Sequence, residues 1–120
     1  MVKNFLLIAA GGALGSMARY GLTLLASHLL VRGEWATFAA NACGSFLIGL
    51  FLHFAGSEYL LFWTVGICGG FTTFSTFSSQ TLQLMHEGQY LWGVMYMLGT
   101  MAVSLSMVAL GWYCQQKLFG

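Results

Sequence analysis

The residues with chemistry to offer are few, and most stand in one stretch. Positions 69 to 79 read Gly-Gly-Phe-Thr-Thr-Phe-Ser-Thr-Phe-Ser-Ser, two glycines and six hydroxyl residues in eleven. Such a segment makes a poor lipid-facing helix, and broken backbone at membrane depth is tolerated only where protein buries it or water reaches it. A helix break is therefore expected here. Carbonyls released at a break are hard oxygen ligands for a small cation, and N–H groups released at the next helix start attract anions. A nucleotide-phosphate loop is excluded, because no Lys follows the second glycine.

Three further features surround this stretch. Phe74 and Phe77 are three apart and share a helix face, as do Thr100 and Ser104 at a spacing of four. Aromatic rings are positive at their edges, so Phe edges, an amide and hydroxyls together suit a narrow path for a small anion, although a Phe pair at helical spacing also serves ordinary packing. The Asn41 amide has donors that replace water around an anion, or that make an interhelical hydrogen bond. Arg19 either ties down a neighbouring helix end or snorkels to a headgroup, or else touches a permeating ion; the polar groups of a span are default functional candidates because they are costly there.

The elements that must position these groups follow from composition. Of 120 residues, 58% are hydrophobic and 6% charged, against roughly a quarter charged in a soluble domain. One membrane span needs about 20 apolar residues at ~1.5 Å each to cross ~30 Å of hydrocarbon. Lys3, Arg32 with Glu34, Glu58, His86 with Glu87, and Lys117 divide the chain into four apolar stretches, Phe5 to Val31, Trp35 to Ala55, Tyr59 to Met85 and Tyr90 to Gln115. The expectation is an all-α integral membrane protein, one four-helix domain over residues 1–120, with both termini on one side. The first stretch is too long for a signal peptide and holds Arg19. Cys43, Cys68 and Cys114 are scattered over three spans, without a disulfide or zinc spacing. Gly11 and Gly15, Ala40 and Gly44, and Gly66 and Gly70 have the four-residue spacing that lets helices approach closely in lipid.

Basic residues near span ends normally fix orientation. Here Lys3 and Lys117 stand on one side against Arg32 on the other, so insertion both ways round, as an antiparallel dimer of identical chains, and a single weakly specified orientation both remain open. Four helices also enclose little space for a pore, which assembly would remedy.

Three segments closely resemble the Fluc (CrcB) family of fluoride channels: Gly-Gly-Ala-Leu-Gly-Ser-Met-Ala-Arg-Tyr at 11 to 20, Asn-Ala-Cys-Gly-Ser-Phe at 41 to 46, and Gly-Gly-Phe-Thr-Thr-Phe-Ser-Thr-Phe at 69 to 77. Their order, the chain length and the span count agree with the family. The resemblance implies a dual-topology homodimer with two antiparallel fluoride pores and a sodium ion at the central dyad. Phe74 and Phe77 would be pore-lining rings, Asn41 a polar pore group, and Ser75 and Thr76 part of a polar track beside the break in the third span. Thr100 and Ser104 would supply hydroxyls, Arg19 would stand near the aqueous mouth, and the Gly69 and Thr72 carbonyls of both subunits would hold a structural sodium ion. A bulkier residue at Gly69 is expected to be tolerated poorly because of the dihedrals required there. Many relatives carry a Glu where this chain has Gln80, so any role of that carboxylate is lost.

The function expected is passive fluoride export through a multi-pass protein of the cell's inner membrane, relieving fluoride toxicity without bond chemistry. Its partners would be a second copy, fluoride, sodium and membrane lipid, and no nucleic acid. Ion-coupled pumping commonly uses a carboxylate within a span, and Glu34, Glu58 and Glu87 all fall at expected helix ends. The rival is a small multidrug-type proton antiporter, which needs a Glu in the first helix where this chain has only Arg19. A purely structural membrane protein would have no use for the hydroxyls of 69 to 79.

Overall fold

The computed structural model describes residues 1–52 and 59–119. These form α1 (Val2–His28), α2 (Gly33–Phe51), a π-helical segment Phe62–Cys68 continued by the short α3 (Gly69–Phe71), α4 (Phe74–His86) and α5 (Tyr90–Phe119). The described chain is all-helical. Ala55, the expected end of the second span, and Glu58 lie outside the described residues.

The outer helices overrun their expected limits: α1 starts before Lys3 and α5 continues through Lys117. Charge marks where a chain meets water, but Lys is a good helix former and does not stop a helix. Backbone geometry does. At the end of α1, Val31 N–H donates to Ala26 O at 2.8 Å and Leu30 N–H to Ser27 O at 3.2 Å, with Leu30 at φ 59°. At the end of α4, Gln89 N–H donates to Leu84 O at 2.9 Å and Gly88 N–H to Met85 O at 3.1 Å, with Gly88 at φ 81°. Both are Schellman stops, which satisfy the last carbonyls by turning one residue left-handed.

Glycine sets the helix contacts. A Cβ on Gly66 would stand 2.8 Å from Gly11 Cα, one on Gly70 2.6 Å from Gly12 O, and one on Gly15 2.8 Å from Phe71 N. The glycine pairs of α1 and of the 62–71 segment thus pack on each other, backbone to backbone. On the other side of the molecule, a Cβ on Gly111 would stand 2.9 Å from Leu50 N, which brings α5 against α2. A small core of Phe77, Leu84 and Tyr96, flanked by Phe38, Trp92 and Met97, joins α4 to these two helices.

Large apolar side chains cover the outside, among them Leu6, Met17 and Leu24 of α1 and Leu91, Leu98 and Leu105 of α5. Helices Val2–His28 and Tyr90–Leu118 are long and apolar enough to cross a membrane, and only 11% and 17% of their most apolar windows are buried. The core helix of a soluble protein would be mostly buried. These helices instead turn apolar surface outward, as a membrane protein does.

Candidate functional site

Between α3 and α4 the backbone leaves the helix at two residues, Thr72 at φ −81°, ψ 157° and Thr73 at φ −150°, ψ 123°. The side chain of Asn41, on α2, pairs with this extended backbone: Thr73 N–H donates to Asn41 Oδ1 at 2.7 Å, and Asn41 Nδ2 donates to Thr73 O at 3.1 Å. The amide thus does for Thr73 what a neighbouring strand would do. Thr73 Oγ1 then accepts from Thr76 N–H at 3.2 Å and caps α4.

The same bonds release carbonyls. In a continuous helix the Thr73 amide would return to Gly69 O and the Thr76 amide to Thr72 O; here they go to Asn41 and to the Thr73 hydroxyl. Gly70 O accepts from Arg19 Nε at 3.2 Å, so a half-buried guanidinium sits at the C-terminal end of α3, where positive charge is favoured. Arg19 therefore ties down a neighbouring helix end. The Thr72 hydroxyl is occupied as well, donating to Cys68 O at 3.0 Å.

Around the extended pair lies an open groove of about 310 Å³. Asn41 and Ser45 of α2 form one wall, Thr100 and Ser104 of α5 another, and Gly69, Thr72, Phe74 and Phe77 the third. Among the described residues, no acidic or basic side chain lines it. The Phe74 and Phe77 rings are 5.8 Å apart at 59°, yet their settings differ: Phe77 is 6% exposed and Phe74 77%. Phe77 leans on Tyr96 at 5.3 Å, whereas Phe74 stands out from the chain.

A family model described as "CrcB-like protein, Camphor Resistance (CrcB)" matches residues 6–112. The chain belongs to the CrcB-like family. Relatives named "Fluoride-specific ion channel FluC" include one from Thermus thermophilus, 42% identical over 99% of this chain and 100% of the relative. Those from Helicobacter pylori and Helicobacter acinonychis are 39% and 40% identical, covering 97% and 91% of this chain and 95% and 92% of theirs. These relatives are named as ion channels, a function without catalysis.

In this CrcB-like chain the groove gathers most of the residues singled out from the sequence, but not all. Ser75 is exposed beside Thr73, with Oγ 3.5 Å from Thr73 Oγ1, and does not line the groove. Thr76 contributes its backbone N–H to the cap of α4. Arg19 stands off the groove, on the α1 side of Gly70. Contrary to expectation, Gly69 requires no special dihedrals: its φ −62° and ψ −39° are those of any helical residue, and an added Cβ would find nothing closer than Thr64 O at 3.7 Å. The backbone turns aside at Thr72 and Thr73, so no special conformation is demanded three residues earlier.

Tyr96, which the sequence did not single out, joins the site through Phe77 and brings Gln80 with it. Tyr96 packs on that ring and its hydroxyl donates to Gln80 Oε1 at 2.7 Å. The signal was present as spacing, since Tyr96 lies one helical turn before Thr100 on the face shared with Ser104.

Proposed function

We propose that this chain is a fluoride channel, passing the anion down its electrochemical gradient across the inner membrane as an antiparallel homodimer with two pores. The observation that carries this reading is the groove itself. It offers amide and hydroxyl donors and Phe ring edges to a small anion, with no carboxylate among its described walls to repel it. The names of the relatives agree with it. Conduction here is a transfer between hydrogen-bond donors that replace the hydration shell, the usual basis of selectivity in a narrow pathway.

The second copy is supported by the groove's open side and by Phe74, whose ring this chain leaves 77% exposed. A structural sodium ion fits the break in the third span. Gly69 and Thr72 carbonyls have lost their helical partners to Asn41 and Thr73, and backbone oxygens are suitable hard ligands. The ion would neutralise carbonyl dipoles from two chains and hold the breaks together. Proton antiport finds no support in the groove, because Glu34 lies in the first turn of α2 and Glu87 follows α4.

Reconstitution into liposomes tests the reading. Fluoride efflux down its own gradient, independent of an imposed pH gradient and with little chloride movement, is expected. Efflux that required the pH gradient would replace the channel with an antiporter, and no efflux at all would refute both.

A further inference from the structure

Donors recur every fourth residue along one face of α5, at Trp92, Tyr96, Thr100 and Ser104, each about 6 Å further along the axis than the last. Tyr96 is satisfied by Gln80. Trp92 Nε1 and Thr100 Oγ1 are buried and have no hydrogen-bond partner among the described residues.

Thr100 carries the one buried hydroxyl among the described residues that has no hydrogen-bond partner. Thr23, Thr64, Thr72, Thr81 and Ser106 each donate to the carbonyl four residues earlier, the usual resort of a hydroxyl in an apolar helix. Thr100 does not, although it is only 4% exposed. It also lines two cavities at once, the groove and a second of about 220 Å³ whose walls include Trp92, Phe38 and Glu34. Trp92 is equally unusual for a residue in the first turns of a membrane helix. An interfacial tryptophan places its N–H at the headgroups, whereas this one is shut inside.

We propose that Trp92 Nε1 is a further fluoride-binding donor, the outermost rung of a ladder that runs from Ser104 and Thr100 through the second cavity toward water at Arg32 and Glu34. The proposal rests on the fluoride-channel reading above. An unpaired N–H buried in a cavity is costly by itself and makes a strong hydrogen bond to an anion. Glu34 does not bar the way, because Arg32 neutralises it with contacts of 3.1 Å and 3.4 Å to its two oxygens. The bond to Glu34 in turn raises the Arg32 guanidinium above its ordinary range.

The test compares wild type with Trp92→Phe in the same liposomes, the variant keeping an aromatic ring and losing the N–H. Removing one hydrogen bond to a charged partner should raise the half-saturating fluoride concentration about tenfold. A slower maximum rate with unchanged half-saturation would indicate packing alone and overturn the proposal, as would no change at all. Should the variant fail to fold, tryptophan-labelled wild type decides. It has four indole N–H resonances to follow as fluoride is titrated against constant chloride. A fluoride-dependent shift confined to one buried indole is expected, and none in any indole refutes the assignment. Wild type that passes no fluoride is a different outcome, since it defeats the channel reading and the ladder with it.

Discussion

Asn41 holds both backbone polar groups of Thr73, accepting from the Thr73 N–H at 2.7 Å and donating to the Thr73 carbonyl at 3.1 Å. The groove residue is therefore also a structural clamp. Asn41→Asp keeps an acceptor for the Thr73 N–H but sets a carboxylate against the carbonyl and against any anion in the groove. We expect fluoride flux to be abolished and thermal stability in detergent to fall, since leaving one buried group unpaired costs about 1–3 kcal/mol. Normal flux in this variant would reduce Asn41 to the clamp alone.

The two phenylalanines should separate under mutation. Phe77 is buried against Tyr96, so Phe77→Ile should cost about 1 kcal/mol or more of stability. The exposed Phe74 should change stability by less than about 0.5 kcal/mol when replaced by Ile. Both variants lose a positive ring edge and should conduct fluoride slowly. Unfolding curves beside flux measurements check this, and undiminished flux in both would count against ring-edge contact.

Gly69 and Thr72 should also part, for a reason the dihedrals supply. Gly69 has ordinary helical backbone and room for a Cβ, so Gly69→Val should leave the chain folded. Because Gly69 is exposed, in the proposed dimer the added bulk would meet the second copy and the proposed sodium site, and the dimer and its flux should weaken. Thr72→Val deletes only the hydrogen bond to Cys68 O, worth about 0.5–1.5 kcal/mol, and should keep more flux. Dimer content by cross-linking, read beside flux, distinguishes the two. The reverse ranking would remove Gly69 from the assembly.

The helix stops give a prediction independent of ion flow. Leu30 occupies a left-handed position at φ 59° where α4 uses Gly88 at φ 81°. A non-glycine residue in that region costs about 1–2 kcal/mol, so Leu30→Gly should stabilise the protein by about 1 kcal/mol and Gly88→Ala should destabilise it by a similar amount. Melting temperatures in detergent should move in opposite directions.

What the sequence determined by itself is local. Four apolar stretches, the hydroxyl-rich run at 69 to 79 and the small residues at four-residue spacing are legible because lipid burial and helical periodicity depend on composition within a few turns. Charge located the inner turns, where Arg32 precedes α2 and Glu87 follows α4, but not the outer helix ends, since Lys3 and Lys117 are accommodated inside helices. Tertiary structure decided the partners. Arg19 reaches Gly70 across 51 residues, Asn41 reaches Thr73 across 32, and Tyr96 meets Gln80 across 16. It also decided that Phe77 is buried while Phe74, three residues earlier, is not. Each polar group had several chemically acceptable mates in the sequence, and the choice fell to whichever backbone the glycine contacts between α1 and residues 62–71, and between α2 and α5, brought within hydrogen-bond reach.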